Sequence, residues 1–168
     1  MLLATDVHYT ENTATAAGIL FKNWDAAEAS NIVTAHIPEV VEYIPGQFYK
    51  RELPYLLALL QELPTEPDCI VVDGFVYLDD AQKPGLGKYL YDALEARIPI
   101  VGVAKSAFTS TPEECGILRG ESHNPLYITA AGMTLSEAKA SVTQMHGAYR
   151  MPSMLKLADR VCRTGVVP

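Results

Sequence analysis

Residues 2–37 decide the fold: Leu2-Leu3-Ala4-Thr5-Asp6-Val7-His8-Tyr9, then Thr10-Glu11-Asn12-Thr13, then Ala14-Thr15-Ala16-Ala17-Gly18-Ile19-Leu20-Phe21-Lys22, and at the end Ile32-Val33-Thr34-Ala35-His36-Ile37. The first run opens apolar and suits a strand that ends between Asp6 and Tyr9. Thr10 to Thr13 carry turn chemistry, and the apolar run that follows reads as a second strand. With Ile32–Ile37 as the third, strand, turn, strand, turn, strand predicts an antiparallel meander.

Working outward, Glu42-Tyr43-Ile44-Pro45-Gly46-Gln47-Phe48 is a Pro-Gly loop. Between Arg51 and Leu63 the residues Leu53, Leu56, Leu57, Leu60 and Leu63 recur at helical spacing, with Pro54 expected in the first turn, where its missing N–H is tolerated. Cys69-Ile70-Val71-Val72-Asp73 is a buried strand bounded by Pro67 and Gly74. Lys83–Ala96 predicts a helix, Ile98–Val103 another buried strand, and Leu126–Thr129 a short one. Thr134–His146 and Pro152–Arg163 read as two closing helices, the first opened by a capping box of Thr134 and Glu137. A meander followed by alternating helices and strands predicts one mixed α/β sheet with helices packed on it, in a single domain spanning 1–168.

The apolar fraction, 49%, is enough for a real core in a chain of 168 residues, yet no run reaches the length of a membrane helix. The opening residues lack a basic region and meet Asp6 too early for a signal peptide, so a cytoplasmic protein, monomeric by default, is expected. Cys69, Cys115 and Cys162 are odd in number and widely spaced, which predicts reduced structural residues. A net charge of −7 argues against broad non-specific nucleic-acid binding, which needs many Lys and Arg contacts to phosphate. Metal-binding carboxylates carry negative charge themselves, however, so a nuclease stays open, with a narrow basic track. Lys50, Arg51, Lys83, Lys88, Lys105, Arg119 and Arg150 are the candidates for that track.

Asp6 closes the first strand, and Asp73 closes the fourth just before Gly74. Ligands in open α/β sheets collect outside the carboxyl ends of the strands. Two neighbouring parallel strands would therefore set both carboxylates on one crevice, with Glu52 at the start of the first helix as a third. Hard cations take oxygen ligands and keep several waters, so two or three carboxylates suffice when a phosphate completes the shell. The plainer reading, a strand-end aspartate as turn-former or helix cap, stands beside it. Lys105, just past the next strand, is placed to act as a point charge on phosphate, or is simply a solvated loop lysine.

These residues, taken in order, resemble the endonuclease V family, metal-dependent deoxyinosine nucleases with a ribonuclease H-like fold. The matching segments are Asp6-Val7-His8-Tyr9, Tyr43-Ile44-Pro45-Gly46 with Lys50-Arg51-Glu52, Val72-Asp73-Gly74, Gly102-Val103-Ala104-Lys105, Tyr149-Arg150-Met151-Pro152 and Leu157-Ala158-Asp159. The resemblance implies a ribonuclease H-like mixed sheet flanked by helices, with the three-strand meander beside parallel strands. It implies Mg²⁺, with Mn²⁺ able to substitute, held by Asp6, Glu52 and Asp73, and Lys105 as an active-site lysine. Tyr43-Ile44-Pro45-Gly46 would be a wedge that fills the gap left by a flipped base, since an inserted aromatic recovers lost stacking. Gly46 and Gly74 would expose backbone to that base, with Phe48 and Phe108 at the apolar positions of its pocket. The partner implied is DNA or RNA containing inosine.

Where the family has a second glycine after Val72-Asp73-Gly74, this chain has Val76, a β-branched residue expected to narrow the pocket. Asp79, Asp80 and Ala81 replace the family's His-Pro-Arg, which makes Asp79 a further metal candidate. Met133 stands where a polar residue is common. The chain also opens at the first strand, without the leading helical segment common in the family. These departures leave two alternatives open: a diverged nucleic-acid-binding relative with weak or no catalysis, and a nuclease of altered substrate specificity.

Overall fold

The computed structural model describes residues 1–38, 44, 45 and 47–168, with Phe48 by its backbone alone. Tyr43 and Gly46 lie outside the described residues, so the proposed wedge is represented by Ile44 and Pro45 only. The expected meander is present: β1 (Leu2–Tyr9) pairs antiparallel with β2 (Ala14–Phe21), and β2 with β3 (Asn31–Ile37). Its first turn is closed by the Thr10 N–H, which donates to the Thr13 carbonyl at 2.9 Å, and by the two threonine hydroxyls at 2.6 Å.

On the far side of β1 the chain adds β4 (Cys69–Asp73) in parallel, and β5 (Ile100–Ala104) in parallel on β4. β7 (Leu126–Ala131) then runs antiparallel to β5, and the two-residue β6 (Gly116–Ile117) closes the edge, in the order β3-β2-β1-β4-β5-β7-β6. Parallel pairing is thus confined to the middle of the sheet. β6 is too short to leave a pattern in the sequence.

Strand alternation divides the core into two layers. Leu2 and Ala4, Cys69 and Val71, and Val101 and Val103 face α3 (Leu135–Gln144) and α4 (Ser153–Thr164). Leu3, Ile70, Val72 and Ile100 face α1 (Phe48–Gln61) and α2 (Leu86–Ala93). Withdrawing each of the leucine, isoleucine and valine side chains from water contributes roughly 1.5–3 kcal/mol. A one-residue slip would turn each strand inside out, so the register is strongly specified.

Two helices differ from expectation. α1 starts at Phe48, before Arg51, so Pro54 falls in its interior and forgoes the bond to the Lys50 carbonyl. α2 starts late because Gly85 caps it at a point where a Cβ would meet the Phe75 carbonyl oxygen at 2.5 Å. It ends early, at Leu94, where Glu95 and Ala96 take left-handed conformations with φ of 55° and 56°. The Thr134–Glu137 capping box forms as read, with the Glu137 N–H donating to the Thr134 hydroxyl at 3.1 Å.

Candidate metal centre

The parallel register of β1 and β4 ends at Thr5 beside Val72. One step further along both strands stand Asp6 and Asp73, side by side at the carboxyl end of the sheet. Alternation aims both toward the α4 layer, because Ala4 and Val71 already point there. The Val7 N–H donates to the Asp6 carboxylate at 2.8 Å and fixes its orientation.

A fourth acid completes the group. Asp159 on α4 reaches Asp6: carboxylate oxygens of the two and the Cys162 sulphur all lie within 4.8 Å of one another. The sequence reading placed Asp159 inside a matching segment but gave it no role. The available signal was its position beside the buried stripe Met154, Leu155, Ala158, Val161 and Cys162, where a polar residue borders the core. Glu52 comes from α1 in the opposite layer and is only 8% exposed.

Burial, with crowding second, raises the proton affinities of Asp6, Glu52 and Asp73. Burial, then the neighbouring Asp73, lifts Asp6 to about 7, with Asp159 adding and the Val7 N–H and Lys105 opposing. Burial, then Asp6 and Asp73, holds Glu52 well above the usual range. Asp73 is raised by burial against the pull of Lys105, whose Nζ lies 3.8 Å from its carboxylate. The Cys162 thiol is pushed up to about 12 by burial and by Asp6 and Asp159. Carboxylates that repel one another in a partly dry site suit a dication, which reverses the local field and takes hard oxygen donors. Asp6, Asp73 and Asp159 could hold one, with Glu52 behind them. Asp79 does not join: its carboxylate accepts from the Lys83 N–H at 2.9 Å and closes a turn of its own.

The centre opens into a cleft of about 160 Å³, lined by Asp6, Asp73, Lys105, Met151, Lys156 and Asp159 among others. A wider groove of about 970 Å³ continues from Lys156 and Asp159 to Arg160 and the segment 27–32. The cations that line these two clefts are Lys105, Lys156 and Arg160, of which only Lys105 was expected. Arg119 and Arg150 are committed elsewhere. Arg119 donates to the carbonyls of Met145, Gly147 (3.2 Å), Tyr149 (2.9 Å) and Arg150 (3.1 Å), and so pins that loop. Arg150 donates to the carbonyls of Asn124 (3.0 Å), Pro125 (2.8 Å) and Lys105, which ties down the backbone at Lys105. Lys88 is paired with Asp92, and Arg51 lies 3.8 Å over the Tyr9 ring.

At the rim, Gly74 has φ of 129° and no atom within 4 Å of where a Cβ would stand. Phe108, 55% exposed, packs its ring edgewise on Phe75 at 5.2 Å, and Ile44 is 48% exposed. Val76 corrects an expectation. Its side chain is entirely buried under α2, against Gly87, and its N–H donates to the Thr129 hydroxyl at 2.8 Å. It cannot narrow a pocket it does not face. Met133 is partly buried against the core on the α3 and α4 side.

The family model for endonuclease V matches residues 1–123. The chain belongs to the endonuclease V family. It is 29% identical over 184 aligned positions to endonuclease V of Azotobacter vinelandii, covering 96% of this chain and 81% of that one. The crystal structure of endonuclease V from Streptomyces avermitilis superposes with a TM-score of 0.78 at 28% identity, covering 98% of this chain and 80% of that chain. Endonuclease V of Ciona intestinalis, solved with a 24mer DNA containing an inosine followed by a ribo-adenosine, shares the fold at 17% identity, with a TM-score of 0.76 and cover of 98% and 84%. The mixed sheet is the ribonuclease H-like sheet of that nuclease family.

Proposed function

We propose that this chain is a divalent-metal-dependent endonuclease, using Mg²⁺ or Mn²⁺, that hydrolyses a phosphodiester near a deaminated base, inosine, in DNA or RNA. The observation that carries the reading is the meeting of Asp6, Asp73 and Asp159 at one sheet end, beside Lys105 and at the head of a groove edged with lysine and arginine. Membership of the endonuclease V family supports the reaction class.

A cation held by Asp6, Asp73 and Asp159 would supply Lewis-acid polarisation of the scissile phosphate and neutralise charge developing on its oxygens. Glu52 closes the acidic group from the α1 side, where burial keeps it out of exchange with bulk water. Lys105 Nζ, on a half-exposed side chain, exchanges its contact with Asp73 for a phosphate oxygen and acts there as a point charge. Lys156 and Arg160 hold the strand in the groove, with Gly74 and Phe108 at the site of the extruded base.

Nicking of inosine-containing oligonucleotides in Mg²⁺ or Mn²⁺, against matched unmodified ones, tests this reading. Metal-dependent cleavage that Asp73→Asn removes is expected. No cleavage by the wild type, or undiminished cleavage by the variant, sinks it. A second reading, a nuclease of altered specificity, keeps one motive: Asp79, Asp80 and Ala81 form a separate turn rather than a phosphate contact. Cleavage of another lesion in preference to inosine would favour it.

A further inference from the structure

The antiparallel pairing of β5 and β7 ends with Ala104 opposite Tyr127, so Lys105 is the first residue of its segment beyond the ladder. Just ahead of β7 stands Pro125, which has no N–H with which to carry the ladder on. The carbonyls at this end of the sheet are bonded to a side chain instead. Arg150 Nε donates to the Asn124 carbonyl at 3.0 Å, and its Nη2 donates to the Pro125 carbonyl at 2.8 Å and to the Lys105 carbonyl. One planar guanidinium thus bridges the ends of two strands. The bridge is itself anchored: Arg119, 5% exposed, donates to the Tyr149 carbonyl at 2.9 Å and to the Arg150 carbonyl at 3.1 Å.

The consequence falls on Lys105. Its Nζ lies 3.8 Å from the Asp73 carboxylate, in the cleft that Met151, next in the chain to Arg150, also lines. A lysine is a point charge on a flexible four-carbon stem, so a stem rooted outside the ladder depends on whatever holds its backbone. We propose that Arg150 is a positioning residue: it fastens the Lys105 backbone to the 124–125 segment and so keeps the Lys105 ammonium beside the scissile phosphate. The inference rests on the reading of Lys105 as the lysine that contacts phosphate. Lysine cannot take the place of Arg150, because an ammonium is compact whereas the rigid fork spans acceptors on two segments. A bound follows. Since Arg150 acts through Lys105, its loss costs no more than loss of the Lys105 side chain.

Nicking of inosine-containing oligonucleotides in Mn²⁺ is measured in a double-mutant cycle of Arg150→Lys with Lys105→Ala. Arg150→Lys alone is expected to lower kcat about tenfold, because a small displacement of a catalytic group is costly. In the Lys105→Ala background the same substitution should change kcat by less than about twofold, since the clamp then has no ammonium to place. KM and its salt dependence should stay near wild type in Arg150→Lys, as for a residue that touches no phosphate. Equal losses in both backgrounds, an unchanged kcat in Arg150→Lys, or a loss larger than that of Lys105→Ala overturns the positioning role and leaves Lys105 its own. A loss confined to KM, with a lower salt slope, also overturns it and makes Arg150 a direct phosphate contact. Full cleavage by Lys105→Ala, or none by the wild type, removes the reading of Lys105 and the proposal together. Thermal unfolding is followed for every variant. If Arg150→Lys does not melt in a single transition, Arg150→Gln is put through the same cycle and judged by the same outcomes.

Discussion

The carboxylate centre and the rim beside it are neighbours built on opposite terms. Asp6, Asp73, Asp159 and Glu52 come from two strands and two helices in both layers, and burial, with neighbouring carboxylates adding, raises the proton affinities of Asp6, Asp73 and Glu52. Gly74, Phe108 and Ile44 come from loops, with Phe108 and Ile44 exposed and open space beside the Gly74 Cα. The centre gathers four carboxylates around two cations, Lys105 at 3.8 Å from Asp73 and Arg163 at 2.6 Å from Asp159, and the rim has apolar surface without a cover. The difference teaches where precision is needed. Ligands must sit within fractions of an ångström, so they are carried by paired strands, while a stacked base tolerates a looser platform.

If the centre carries the chemistry, Asp73→Asn should have the largest effect. Loss of at least about a hundredfold in kcat is expected on inosine-containing oligonucleotides, with little change in binding measured in Ca²⁺. Lys105→Ala should come next, at about tenfold to a hundredfold in kcat/KM, because a point charge on phosphate is lost while the carboxylates remain. Steady-state cleavage rates distinguish the two.

The rim should respond differently. Phe108→Ala is expected to weaken binding of an inosine-containing strand by about tenfold, the size of one lost stacking contact, with kcat nearly unchanged. Equal losses for inosine-containing and unmodified strands would mean that Phe108 serves the backbone and not the base.

The smallest effect concerns the metal-free protein. Between the ordinary carboxylate value of 3.8 and about 7, folded Asp6 keeps a proton that the unfolded chain has released. Stability therefore falls as pH rises through that window and levels off above it. Glu52 and Asp73 shift in the same direction. Metal-free protein should melt about 5 °C higher at pH 5 than at pH 8, and saturating Mn²⁺ should shrink the gap. Thermal unfolding with and without the ion checks both signs. A melting temperature that rises with pH would contradict the crowding of the carboxylates.

Much of this was legible in the chain. Residues 2–37 announced the meander through apolar runs and turn chemistry, and Asp73 at the end of β4 marked a crevice, while Asp6 lies inside β1, just past the end of its pairing with β4. Strand periodicity is local, so it survives in a bare sequence. What needed the folded molecule was pairing between distant segments. Asp159 became a candidate ligand only when α4 packed on β1, and Val76 left the pocket only when Gly87 made room for it under α2. Arg119 and Arg150 looked like phosphate contacts until their guanidinium groups were found bonded to backbone carbonyls. The sequence alone determined six of the seven strands and placed an acid in the second half of one and at the end of another, because those depend on neighbours two residues away. Tertiary structure alone decided which acids meet, which cations face the groove, and that Cys162 lies among them, because those depend on the register of the sheet and the packing of a helix more than 140 residues further along the chain.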